Sequence, residues 1–157
     1  MTRRHYEGTQ VSESKSLLDI EYMLRRHGVE TVRWTSGTDI IRIEFAWPWD
    51  GDKSRTLSFR IDLLIPLKGQ DGWELAATRR EAERRRLLRV LLNHIKAKLV
   101  GVEDGLVEME REFLPYLIAA GNRTVGDVAA ERLALGEIPT TALLLEAGGG
   151  RARRGDS

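Results

Sequence analysis

The feature that most constrains this chain is a single helical stripe in its middle: from about Leu75 to Val102 the residues Leu88, Leu91, Leu92, Ile95, Leu99 and Val102 recur on one face. A helix this long with one apolar face needs a broad apolar surface to lie on. The segment before it supplies one. Val32 and Trp34 alternate with Thr31, Arg33 and Thr35; after Ser36-Gly37, Ile41, Ile43, Phe45 and Trp47 alternate with Arg42 and Glu44. A third run places Leu57, Phe59, Ile61, Leu63 and Ile65 on one face and Ser58, Arg60 and Asp62 on the other until Pro66. The spacing predicts that the stripe of residues 88–102 packs on Ile41, Ile43, Phe45, Leu57, Phe59 and Ile61.

Around this unit, Ser16 and Asp19 resemble a capping box that opens a short first helix carrying Leu17, Ile20 and Leu24 and closed by Gly28. Downstream of Gly105, Leu106 to Ala120 reads as a second helix ending at Gly121, with Pro115 kinking it or ending it early. Thr124 and Asp127 form another capping box for a helix from Val125 to Leu135, stopped by Gly136 and Pro139. The order α-β-β-β-α-α-α predicts an α+β fold: a three-stranded antiparallel meander covered by a short N-terminal helix and a long helix, followed by a C-terminal helical hairpin. Residues 1–10 read as an N-terminal arm, 11–139 as one domain and 140–157 as a C-terminal segment with a flexible Gly/Arg tail. With 157 residues, one domain buries roughly 68–70% of its unfolded surface without disulfides or metals.

Charge narrows the chemistry. The chain carries 25 basic and 24 acidic residues, so no global charge drives it to a polyanion or a membrane. Residues 75–98 are the exception, with Arg79, Arg80, Arg84, Arg85, Arg86, Arg89, Lys96 and Lys98 against only Glu81 and Glu83. Of the basic residues 20 are arginine, which suits bidentate contact with phosphate or carboxylate but fits a GC-rich genome equally. The absence of cysteine excludes thiol catalysis, iron–sulfur clusters and cysteine-based zinc sites. No apolar run approaches the roughly 18 residues of a membrane span, and the opening residues lack the apolar core of a signal peptide, so a cytosolic location is expected.

On the long helix, Arg85, Arg89 and Lys96 share one flank of the apolar stripe, with Asn93 just outside it. That flank is the candidate ligand site. The competing reading is a solvated face paired with Glu108, Glu110 and Glu112. Arg84 falls nearly on the stripe, where it must find an acceptor. On the sheet, Arg33, Arg42, Glu44, Arg60 and Asp62 pair across strands, and that face lacks the aromatic pair of an RNA-stacking platform. In Trp47-Pro48-Trp49, Trp47 continues the core parity of its strand, whereas Trp49 is a contact candidate for a ligand or a second copy. Self-association is expected, through Trp49 or near Phe113 and Tyr116.

Other motifs fail on detail. Asp50, Asp52 and Ser54 imitate a calcium loop, but Arg55 stands where glycine is needed and Ile61 where the bidentate glutamate should be. His5, His27 and His94 fit no zinc spacing, and neither a nucleophile elbow nor a phosphate loop is present. A metal-dependent nuclease around Asp39, Glu44 and Asp62 is the weakest reading, because Ala46 occupies the place of the expected basic residue. The tripeptide Arg154-Gly155-Asp156 matches an adhesion motif by letters only. No catalytic residue, metal or cofactor is assigned.

Several segments together resemble a family of small proteins encoded by tailed phages and prophages: Thr9-x-Val11 before Ser16, Ile20 and Leu24 with Gly28, then Arg85-x-x-x-Arg89, Ile95-Lys96-Ala97-Lys98-Leu99-x-x-Val102-Glu103-x-Gly105, Phe113-Leu114-Pro115 and Gly121-x-x-Thr124-Val125. The resemblance spans nearly the whole chain and is most specific from Ile95 to Gly105; Leu88 departs from it, where that family has tryptophan. It implies a phage accessory protein acting in the bacterial cytoplasm and carries over no catalytic residue. The leading expectation is a non-enzymatic protein that binds DNA or RNA through the arginine flank. The alternative is a counter-defence protein that sequesters a small nucleotide signal or a host defence protein, using the same arginines and Trp49.

Overall fold

The computed structural model describes residues 4–49 and 54–140. Helix α1 (Glu13–Arg26) leads into strands β1 (Thr31–Ser36), β2 (Ile40–Pro48) and β3 (Thr56–Leu64), then the long helix α2 (Ala77–Glu103), the single turn α3 (Met109–Glu112) and α4 (Val125–Ala134). The three strands form one antiparallel sheet in the order β1-β2-β3. Register follows the alternation: Phe45 lies opposite Phe59 and Ile43 opposite Ile61 on the core face, while Arg42 meets Asp62 and Glu44 meets Arg60 on the other. The α+β architecture expected from the sequence is the one the chain adopts.

One cluster forms the core. It joins Ile20 and Leu24 of α1, Ile41, Ile43, Phe45, Phe59 and Ile61 of the sheet, and Leu88, Leu91, Leu92, Ile95 and Leu99 of α2. Phe113 completes it, fully buried and set edge-on to Phe45 at 5.6 Å. Burying such side chains is worth about 1.5–3 kcal/mol each and holds both helices on the sheet.

Three local expectations are corrected. Helix α1 starts one turn before Ser16: the Ser12 hydroxyl accepts from the Lys15 amide and caps it, leaving Ser16 fully buried inside the helix. The expected helix from Leu106 to Ala120 is only α3 and a 3-10 turn at Leu114–Tyr116. Pro115 cannot extend a helix, and the chain beyond turns to the sheet instead, with the Ile118 amide donating to the Ser58 carbonyl at 2.8 Å. Phe113 is taken up by the core, which corrects its reading as a surface for self-contact, while Tyr116 stays half-buried with its hydroxyl on His94. By contrast, the Thr124–Asp127 capping box of α4 forms as read, and Gly28 takes a φ of 89° after α1. Asp50, Asp52 and the tail with Gly148–Gly150 and Arg154–Asp156 lie outside the described residues.

Candidate anion-binding face

Helices α1 and α2 run side by side in the same direction, with Glu13 against Arg84 and Asp19 against Arg89. Arg84 has the acceptors its place near the apolar stripe demands. It donates to Glu13 at 2.8 Å, to the Gly37 carbonyl at 2.8 Å and to the Ser36 hydroxyl at 2.6 Å, tying both helices to the β1–β2 turn. Its guanidinium is thereby committed to the fold and has little left for a ligand. Arg89 reaches Asp19 at 3.4 Å, and Lys15 contacts the same carboxylate.

The other predicted site residues separate. Arg85 has no hydrogen-bond or ion-pair partner among the described residues, and its Nε is buried. Lys96 is exposed and likewise unpaired among them. Asn93 donates its amide to the Arg89 carbonyl at 2.8 Å and lies off the flank, on the outer face of α2. Trp49 is half-buried against its own core, donates to Glu110 at 3.3 Å and carries Arg55 over its ring at 5.2 Å. It is held by its own domain and far less open than Trp73, which sits 77% exposed in the short turn between Leu67 and Leu75. The sheet carboxylates of the nuclease reading are engaged too: Glu44 by Arg33, Asp62 by Arg42 and Arg60. Among the described residues no group of three or more histidine or acidic side chains is placed to hold a metal ion. Nor, among them, is any helix long and apolar enough to cross a membrane.

The acidic turn α3 answers the basic helix at one point, where Lys98 meets Glu112 at 2.8 Å. The remaining carboxylate partners come from α1 and from α2 itself. Glu83 is clasped by Arg86 at 2.7 Å and by Arg4 of the N-terminal arm at 3.1 Å, and these guanidinium contacts hold its carboxyl below the usual carboxylate range. The arm thus crosses the outer face of α2, the face opposite the core stripe. It encloses an open cleft of about 540 Å³, with Arg4, His5 and Tyr6 on one wall and Arg86, Val90, Asn93 and His94 on the other. The α2 residues follow the i, i+4, i+7, i+8 spacing of one helix face. Burial and the nearby Lys98 depress the His94 pKa, and its Nε2 meets the Tyr116 hydroxyl at 3.0 Å.

Of this cleft the sequence reading had only Asn93, as a neighbour of the arginine flank. The available signal was Val90, an apolar residue on the otherwise polar face of α2. Nothing local indicated that residues 4–6 cover it. The chain matches no known family model, no curated protein and no solved structure.

Proposed function

We propose that this protein is a non-enzymatic binder of a polyanion, nucleic acid before any other, contacting it through the α2 flank of Arg85, Arg89 and Lys96. One observation carries the reading: Arg85 and Lys96, like Arg79 and Arg80 at the start of α2, lack a carboxylate among the described residues, whereas Arg84, Arg86, Arg89 and Lys98 each have one. A guanidinium or ammonium group without a carboxylate keeps its charge and its solvent-facing donors for a phosphate. Eleven residues separate the two cations, about 16 Å along the helix axis. A single phosphate cannot touch both. A chain of phosphates can, which favours a nucleic acid over a small anion for this flank. The resemblance of the Ile95–Gly105 block to phage proteins supports a role as a phage accessory factor in the bacterial cytoplasm.

Titrating single-stranded and duplex DNA and RNA at several salt concentrations tests this. Affinity is expected to fall steeply with salt, and R85A combined with K96A to flatten the logarithmic slope by up to about two units with the fold intact. No binding to any of the polymers at low salt, or an unchanged slope in the double variant, overturns it.

A further inference from the structure

We propose that the cleft between the N-terminal arm and the outer face of α2 binds a nucleoside monophosphate unit, with the base against Tyr6 and Val90 and the phosphate at Arg4. The site is distinct from the Arg85–Lys96 flank and does not depend on it. The volume of about 540 Å³ lies within the range of small-molecule sites. Among the described residues no carboxylate lines it: Glu83 is turned between Arg4 and Arg86 and fixes both guanidiniums at the rim, and Glu7 accepts from the Arg4 backbone amide at 3.3 Å, leaving the Arg4 guanidinium itself to Glu83 alone. Arg4 spends one nitrogen on Glu83 and keeps a side chain that is 59% exposed, so it has donors left for an anion.

The polar groups inside are suited to a base edge rather than to a bare anion. The Arg89 carbonyl can only accept, so Asn93 must donate its amide nitrogen there and keep its Oδ1 as a free acceptor in the cleft. His94 uses Nε2 with Tyr116, leaving Nδ1 as a second polar atom at the same wall. An acceptor and an imidazole nitrogen on one wall, the apolar Val90 beside them and the aromatic Tyr6 on the opposite wall supply the kinds of contact that the edge and faces of a nucleobase take. An inorganic anion would leave Tyr6 and the Asn93 Oδ1 unused, and a purely apolar ligand would leave the Asn93 Oδ1 and the His94 Nδ1 unused. Tyr6 itself has a φ of 60°, an uncommon conformation for an aromatic residue, and strain of this kind concentrates at ligand clamps.

The nucleotide can be free or one unstacked unit of a strand, and calorimetric titration separates the two. The wild-type chain is titrated with the common nucleoside monophosphates, the matching nucleosides, inorganic phosphate and a short single-stranded oligonucleotide. At least one monophosphate is expected to bind one per chain and more tightly than its nucleoside or phosphate alone. Y6A should weaken it by roughly tenfold or more and R4A should erase the advantage over the nucleoside. R85A with K96A should leave monophosphate binding unchanged, so failure here and failure of the flank reading are told apart. If only the oligonucleotide binds and Y6A weakens it by the same factor, the occupant is a unit of a strand. If no monophosphate and no oligonucleotide binding responds to Y6A, the proposal is overturned.

Discussion

The two faces of α2 that carry its arginines are held in opposite ways. Toward α1, each cation meets a carboxylate from another helix: Arg84 takes Glu13 and Arg89 takes Asp19, with Ser16 buried between the helices. On the outer face one carboxylate of α2 itself, Glu83, serves both its neighbour Arg86 and Arg4 of the arm. The first arrangement is stabilised by the apolar packing around it, so its ion pairs report on the whole fold. The second rests on a few residues of chain outside the core. An arginine-rich run is therefore not one electrostatic object: packing divides it into cations that hold the structure and cations left over for something else.

The largest effect should come from removing the packing that both faces share. I61D or L92D places an unpaired charge in the core and is expected to unfold the domain, read as loss of a cooperative transition by circular dichroism. Next comes R84A, which strips three acceptors of their donor; a loss of roughly 1–3 kcal/mol is expected in urea unfolding, against about 0.5 kcal/mol or less for K96A. Near-equal losses would erase the distinction between the two classes of cation. A third test, E83Q, should release the arm while sparing the core: faster amide exchange at residues 5–9 with global unfolding shifted by under about 1 kcal/mol.

Acid should act on the same contrast more gently. Glu83 has a lowered pKa in the folded chain, so the unfolded chain binds more protons as pH falls through the ordinary carboxylate range near 4.5; the stabilisation present above that range is then lost. Arm protection should fade there, and E83Q should abolish the pH dependence. His94 acts in a different pH window. Its lowered pKa means that just below pH 6.5 the unfolded chain takes up protons more readily than the folded one, so stability declines modestly as pH drops through that value, and H94Q should flatten that part of the profile.

Periodicity made the sheet and the long helix legible because both bury one face, and burial is what hydrophobic spacing records. It misplaced the start of α1, where Ser16 and Asp19 have the letters of a capping box and only packing decides that Ser16 is inside, one turn past the cap at Ser12. It overran at Leu106–Ala120 because the pairing of Ile118 with Ser58 is a contact between distant segments. The arginine site was half legible. Helical angles set Arg85, Arg89 and Lys96 on one flank and warned that Arg84 needs an acceptor, but they could not show which of these arginines is paired, because Glu13 and Asp19 lie about 70 residues away in sequence. The cleft was missed for the same reason, since its second wall is the first described turn of the chain.

Helix α4 illustrates what attachment at one end implies. None of its residues is buried, and what holds it sits at its beginning: the Thr124–Asp127 capping box, the backbone of Gly126 against Pro115, and the Arg60 guanidinium reaching the Asn122 carbonyl just upstream. A Cβ at Gly126 would come within 2.8 Å of the Pro115 oxygen, so any side chain there must push the helix away. Leu133 and Leu135, at the other end, are half or more exposed. The helix is thus a cantilever, clamped over its first turn, where a side chain at Gly126 forces a shift, and progressively less constrained toward its tip. Sequence drift along it should follow the same gradient, strict at Gly126 and permissive by Leu133.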